Sequence, residues 1–199
     1  MPRILFGVSP IGLGHATRAM VVRAELERRG VEVKMFSGGR AAEFLRSAGV
    51  QVEDIVEDPG LSVVDGEMKR ASLWYVRSWL ANRRTLKRTE RLFDAYPHDL
   101  VVCDEEFSGM VAAERRGERR VFISDELELG FARSWLARRL ERRVEGWYRR
   151  LQSSVDVLIV PEEGEDSGNR RFVGPIVRPM TMTCPEVRRR HGIPEGRMV

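Results

Sequence analysis

Six short strand-like segments, apolar throughout or in alternation and separated by helical patterns, constrain what this chain can fold into more than any other feature. Residues 4–8, 31–35, 50–55, 100–103, 121–123 and 155–160 read as strands. Between them apolar residues recur at helical spacing: Ala16, Ala19, Met20, Val22 and Leu26 up to Gly30, then residues 41–48 up to Gly49, 71–96 up to Pro97, 108–116 up to Gly117, and 131–150. Glycine and proline close these segments because one accepts a left-handed C-terminal turn and the other cannot continue the hydrogen-bond ladder. Strict alternation, with the fourth run apolar throughout between Asp99 and Asp104, predicts parallel strands buried on both faces. The predicted fold class is therefore α/β: a doubly wound, Rossmann-like parallel sheet covered by helices on both sides.

Length and composition narrow the class further. The 199 residues make one domain at the usual size of about 100–200 residues. With 42% hydrophobic and 32% charged residues the chain is an ordinary globular one, which excludes disordered and collagen-like classes. Cys103 and Cys184 stand far apart and in no Cys-x-x-Cys spacing. That argues against a zinc ribbon or a dithiol redox pair, gives no metal site, and fits a reducing compartment, the cytoplasm. No run reaches the about 18 apolar residues of a membrane span, and residues 4–8 are too short for a signal peptide. Residues 57–66 and 162–169 read as loops, 172–177 as one more extended segment, 178–185 as a linker and 185–191 as a short helix. Residues 197–199 resemble the opening of a strand; either the fold continues beyond them or the terminus is frayed.

In an open parallel sheet ligands bind outside the carboxyl ends of the strands, where strand order reverses. The first strand delivers Ser9 to His15 there, the fourth Asp104, Glu105 and Glu106, the fifth Ser124, Asp125 and Glu126, and the sixth Glu162. One histidine thus meets a set of carboxylates. Near its usual pKa of about 6.5 an imidazole can take a proton from a hydroxyl, and a carboxylate on its second nitrogen would fix the tautomer; Asp104 is the first choice. The alternative is that His15 only bonds loop backbone and that Asp104, Glu106 and Asp125 cap helices. Gly12 and Gly14 before a helix suit a phosphate at the helix N-terminus, or simply a tight turn. An NAD site is disfavoured, because Thr17 and Arg18 stand near the place of the third glycine and Ser37 ends the second strand where an acid is needed.

The net charge of +4 is unevenly spread. Residues 67–96 hold eight Lys/Arg against three Asp/Glu, and residues 131–150 seven against two, so the remainder of the chain is acidic. No nucleic-acid-reading motif accompanies this charge, and nucleic acid is not an expected partner. Each basic segment carries two tryptophans, Trp74 and Trp79, then Trp135 and Trp147. Such helices can lie on an anionic membrane surface, or the tryptophans can pack on the sheet beneath a solvated arginine face.

The stretch Ser9-Pro10-Ile11-Gly12-Leu13-Gly14-His15-Ala16-Thr17-Arg18 resembles the opening loop of the GT-B glycosyltransferases, in particular the MurG-like group with its Gly-x-Gly-His-x-x-Arg pattern. Residues 26–33, the Asp104-x-Glu106 ending of the fourth strand, and Val173-Gly174-Pro175-Ile176 resemble further segments of that family, so the likeness covers nearly all of residues 1–178. It implies one half of a two-domain architecture: residues 1–178 as the acceptor-binding domain, with 179–199 a linker and the start of a C-terminal donor-binding domain, in this chain or a partner subunit. It implies transfer from a nucleotide-sugar, a UDP-sugar, to an acceptor hydroxyl with no cofactor, and inactivity of the half alone. His15 with Asp104 would be catalytic, and Gly12, Gly14, Arg18, Glu106 and Asp125 would bind substrate. The likeness permits a lipid-linked acceptor and a place on the inner membrane face. Ser9-Pro10 departs from the usual glycine-rich start of the loop. A nucleotide-sugar epimerase on the same scaffold and a non-catalytic docking subunit are the alternatives.

Overall fold

The computed structural model describes residues 1–60, 63–64, 67–68, 71–125, 135–179 and 182–194. Strand β1 (Arg3–Val8) leads through the glycine loop into α1 (Leu13–Arg28), then β2 (Glu32–Ser37), α2 (Gly39–Ser47) and β3 (Val52–Asp54). A hairpin, β4 (Val63–Val64) and β5 (Glu67–Met68), precedes α3 (Ala71–Ala95), and β6 (Leu100–Asp104), α4 (Phe107–Arg116) and β7 (Arg120–Ile123) follow. Helix α5 (Trp135–Ser154), β8 (Val157–Val160), β9 (Arg170–Phe172) and α6 (Cys184–His191) complete the order.

Seven strands form one sheet in the order β3-β2-β1-β6-β7-β8-β9, every neighbouring pair parallel. The chain winds outward from β1 in one direction and from β6 in the other, so order reverses between these two central strands. Alternate side chains explain the two layers. Ile4, Phe6 and Val8 of β1 join Met35, Val102 and Ile123 against Ala16 and Ala19 of α1 and Ala41 and Leu45 of α2. Leu5 faces the other way with Phe36, Val101, Cys103, Phe122 and Leu158, against Phe93 of α3, Met110 of α4 and Leu151 of α5. Phe6, Phe36 and Phe122 are fully buried, and burying a side chain of that size contributes about 1.5–3 kcal/mol.

Four differences from the sequence reading stand out. The sheet has seven strands, because residues 170–172 pair with β8. The extended run expected at 172–177 leaves the sheet instead: Gly174 turns at φ 69 and Pro175 has no N–H for a ladder. The expected loop at 57–66 contains β4, which pairs with β5 antiparallel, while Asp65 and Gly66 lie outside the described residues. The fifth helix runs on to Ser154; residues 131–134, Glu126 and the strand expected at 197–199 lie outside the described residues.

Candidate active site

The reversal of strand order opens a crevice at the carboxyl ends of β1 and β6, and the backbone holds its rims in register. Val8 pairs with Asp104, the Ser9 N–H donates to the Asp104 carbonyl at 2.9 Å, and the Glu105 N–H donates to Ile123 at 3.1 Å. Helix α1 starts just beyond. Gly12 supplies φ 77, no described side chain caps the helix, and its first turn carries no acid. A Cβ at Gly14 would meet nothing within 4 Å, so the protein's own packing does not demand a glycine there.

His15 and Arg18 stand three residues apart on α1, one turn of the same face, and both reach Asp104. Asp104 is fully buried. Its Oδ1 lies 2.8 Å from His15 Nδ1 and accepts Arg18 Nη2 at 2.7 Å, while Oδ2 accepts Arg18 Nε at 2.8 Å. The guanidinium also donates through Nη1 to Asp125 at 2.8 Å. An ionised carboxylate only accepts, so Nδ1 must carry the proton toward it. The competing tautomer would offer Nδ1 to Arg18 Nη2 at 3.3 Å and set two lone pairs face to face at 2.8 Å. In the neutral ring Nε2 therefore keeps its lone pair.

Charges tune this pair from both sides. Burial opposes the imidazolium, yet the hydrogen bond and charge of Asp104, helped by Glu105, outweigh both burial and Arg18, and the His15 pKa is raised above 6.5. Arg18 is partly buried too, but its bonds to Asp104 and Asp125 hold its proton more tightly than usual.

The structure brings His15, Asp104, Arg18 and Asp125 together and leaves Glu106 out. Glu106 is a buried N-cap, not a crevice residue: its carboxylate accepts from the Ser108 N–H at 2.9 Å and the Gly109 N–H at 2.7 Å at the start of α4. Burial pushes its pKa up against those hydrogen bonds. Arg18, expected to bind substrate, directs Nε, Nη1 and Nη2 to the carboxylates of Asp104 and Asp125. Glu105 is the residue that sequence reasoning passed over. Its backbone turns left-handed at φ 46, and that turn puts its Oε2 3.7 Å from His15 Nε2. Ser37, where a dinucleotide site needs an acid, is buried and donates to the Val8 carbonyl at 2.9 Å. Of the other histidines, His98 is bound to Glu118 and His191 ends α6. An open depression of about 490 Å³ beside β3, lined by Lys34, Arg46 and Glu53 among others, contains none of these groups.

Comparison with known proteins now bears on this geometry. Acinetobacter baumannii MurG matches with a TM-score of 0.59 at 11% identity, over 90% of this chain and 47% of that one. The calicheamicin glycosyltransferase CalG4 matches with 0.57 at 18% identity, over 87% and 53%. A UDP-N-acetylglucosamine 2-epimerase from Listeria monocytogenes, itself assigned provisionally, matches with 0.52 at 13% identity, over 80% and 39%. At these identities the likeness concerns the fold, and the chain spans about half the length of the two glycosyltransferases. No curated protein matches the chain. The profile of glycosyl transferase family 1 matches residues 2–124, well over half of the chain and all the residues that build the crevice up to Ser124. The chain belongs to glycosyl transferase family 1.

Proposed function

We propose that this domain is the acceptor-binding half of a nucleotide-sugar-dependent glycosyltransferase and that His15 is its base. The observation that carries this reading is the His15–Asp104 bond of 2.8 Å where strand order reverses, with no hydrogen bond on Nε2 among the described residues. An acceptor hydroxyl gives its proton to Nε2 as its oxygen bonds to the donor's anomeric carbon. The bond from that carbon to the nucleotide diphosphate breaks, and the electron pair leaves with the diphosphate. Asp104 stabilises the imidazolium that forms, and Arg18 and Asp125 hold Asp104 in place. The uncapped amides of α1 and the open space at Gly14 suit a phosphate of the donor, a UDP-sugar in this reading, so no cofactor is required. Most donor contacts come from a second domain or subunit, a division supported by the match to only about half the length of the two glycosyltransferases.

Two measurements test this. Calorimetry of residues 1–199 with UDP is expected to show no micromolar binding; tight binding would contradict a donor site housed elsewhere. In the intact protein, nucleotide release from UDP-sugars must depend on added acceptor. Conversion of the donor sugar without acceptor would identify an epimerase, and no reaction together with indifference to His15 a docking subunit.

A membrane-held acceptor is the finer form of this proposal, and α3 supports it. Leu73, Val76 and Leu80 are exposed at positions i, i+3 and i+7, and Arg83 and Lys87 continue the same stripe. Trp79 beside them is 57% exposed, with the Arg83 guanidinium 4.9 Å over its ring. The other tryptophans divide: Trp135 is exposed, Trp74 packs on Tyr75, and Trp147 sits edge-on to Phe107 while still exposed. Arg84 and Arg88 are held by Glu57. Each cation at an anionic surface contributes about 1 kcal/mol, screened by salt. Sedimentation with phosphatidylglycerol vesicles should show binding that falls with ionic strength, is absent on phosphatidylcholine, and weakens when Trp79→Ala is combined with Arg83→Glu and Lys87→Glu. Equal partitioning on both vesicles, or none at low salt, rejects it.

A further inference from the structure

Helix α5 reaches the crevice through a buried polar chain that the mechanism above does not use. Tyr148 and Ser124 are both buried, and their hydroxyls touch each other. Each also lies 3.2 Å from Glu105 Oε1, and the Gln152 amide approaches Ser124 Oγ at 3.5 Å. A hydroxyl has one proton to give: Ser124 can give its own to Tyr148, to Oε1 or to the Asp125 carbonyl at 3.0 Å, and Tyr148 can give its own to Ser124 or to Oε1. One oxygen of Glu105 thus has two hydroxyl donors within reach. The other, Oε2, stands 3.7 Å from His15 Nε2, outside hydrogen-bond range but close enough for one charge to feel another. The left-handed turn at φ 46 is what permits both contacts from a residue adjacent to Asp104.

We propose that Glu105 is a positioning residue of this site: anchored by Ser124 and Tyr148, it holds the His15 ring from the Nε2 side, opposite Asp104, and sets the proton affinity of that nitrogen. The proposal rests on reading His15 as the base. Two carboxylates then share one imidazole. Asp104 fixes which nitrogen is free, and Glu105 sets how readily that nitrogen keeps a proton taken from an acceptor. The groups facing the ring are Asp104 and Glu105 from the end of β6 and Arg18 from α1 itself, with Asp125 beyond Arg18 at the end of β7. Glu105 in turn faces His15, Asp104, Asp125 and the two hydroxyls.

The test is the NMR titration of the three histidines in residues 1–199, with the His15 signal assigned by its loss in His15→Ala. In the wild-type chain His15 is expected to titrate above 6.5. Glu105→Gln keeps the shape and removes the charge, and should lower that midpoint by about one pKa unit, the small end of the range for an opposite charge at such a separation. Either hydroxyl alone stays within 3.2 Å of Oε1, so Ser124→Ala and Tyr148→Phe should each move it little. The double variant should move it most of the way to the Glu105→Gln value. In the intact enzyme the acid limb of the pH–rate profile should shift by the same amount in Glu105→Gln. An unmoved His15 midpoint in Glu105→Gln overturns the proposal, as does a folded double variant that titrates like wild type. These titrations read the Glu105–His15 coupling whether or not His15 is the base, so failure of the catalytic reading shows up separately, as turnover that survives His15→Ala.

Discussion

Replacing His15 by alanine, in the intact enzyme that carries this domain, is expected to lower turnover by about 10²–10⁴-fold, the range lost with a general base. The domain should stay folded. His15 stands at the crevice rim, and its removal leaves Asp104 with both bonds from Arg18, so no buried charge is orphaned. The pH dependence supplies a second signature. Only the neutral imidazole can accept a proton, so kcat/KM should fall as pH drops through the His15 pKa, which lies above 6.5. Stability runs the other way. A raised histidine pKa means that the folded state favours the imidazolium, so its contribution is complete below 6.5 and disappears as pH rises through the folded value. Activity should therefore rise, while this part of the stability fades, across the same window. An acid limb that persists unchanged in His15→Ala, or near-normal turnover, removes His15 from the mechanism.

The sheet was legible because burial on two faces leaves a plain mark: runs such as Leu100-Val101-Val102-Cys103 have no polar side to show. The crevice followed from topology, since strands that wind outward from a shared centre must deliver their last residues to one edge. His15 and Arg18 at helical spacing were legible for the same geometric reason. The choice between Glu105 and Glu106 was not. In a strand continued past Asp104, Glu106 would share the face of Asp104 and Glu105 would point away. The left-handed residue at Glu105 breaks that alternation, sending its own side chain to His15 and the next into the first turn of α4. Nothing in the sequence announces it, because neither a left-handed glutamate nor a glutamate N-cap is a favoured choice. The ties of Arg18 were hidden too: a guanidinium near three acids reads equally as a ligand for substrate phosphate and as a brace, and only distances separate the two.

The largest loss of stability is expected from Gly38→Ala, a change outside the crevice. Gly38 has extended backbone, φ −164, which any residue adopts, so the demand for glycine is one of space. A Cβ there would stand 1.7 Å from the Val56 carbonyl oxygen and 2.6 Å from its carbon. The obstacle is backbone and has no rotamer to turn aside. Relief requires moving Val56 away, but the Ile55 and Val56 N–H groups both donate to the Ser37 carbonyl at 2.9 Å, and Ala42 closes the first turn of α2 onto Gly38 at 3.2 Å. Overpacking costs about 1–3 kcal/mol and sometimes more, and a rigid neighbour places this site at the upper end, a large part of the about 5–15 kcal/mol that holds a domain together. The damage should spread to the glycine loop, since Ser37 also donates its hydroxyl to Val8 just before Ser9. Urea unfolding should show a lower midpoint with an unchanged slope, the mark of lost stability without a new denatured state. Gly146→Ala is the control: this exposed glycine lies inside α5 with nothing within 4 Å of a Cβ and no left-handed backbone, so the same methyl should stabilise by about 0.5–1 kcal/mol. Opposite signs for the two substitutions are the expected result, and a neutral Gly38→Ala would show that α2 and the segment after β3 are not packed this closely.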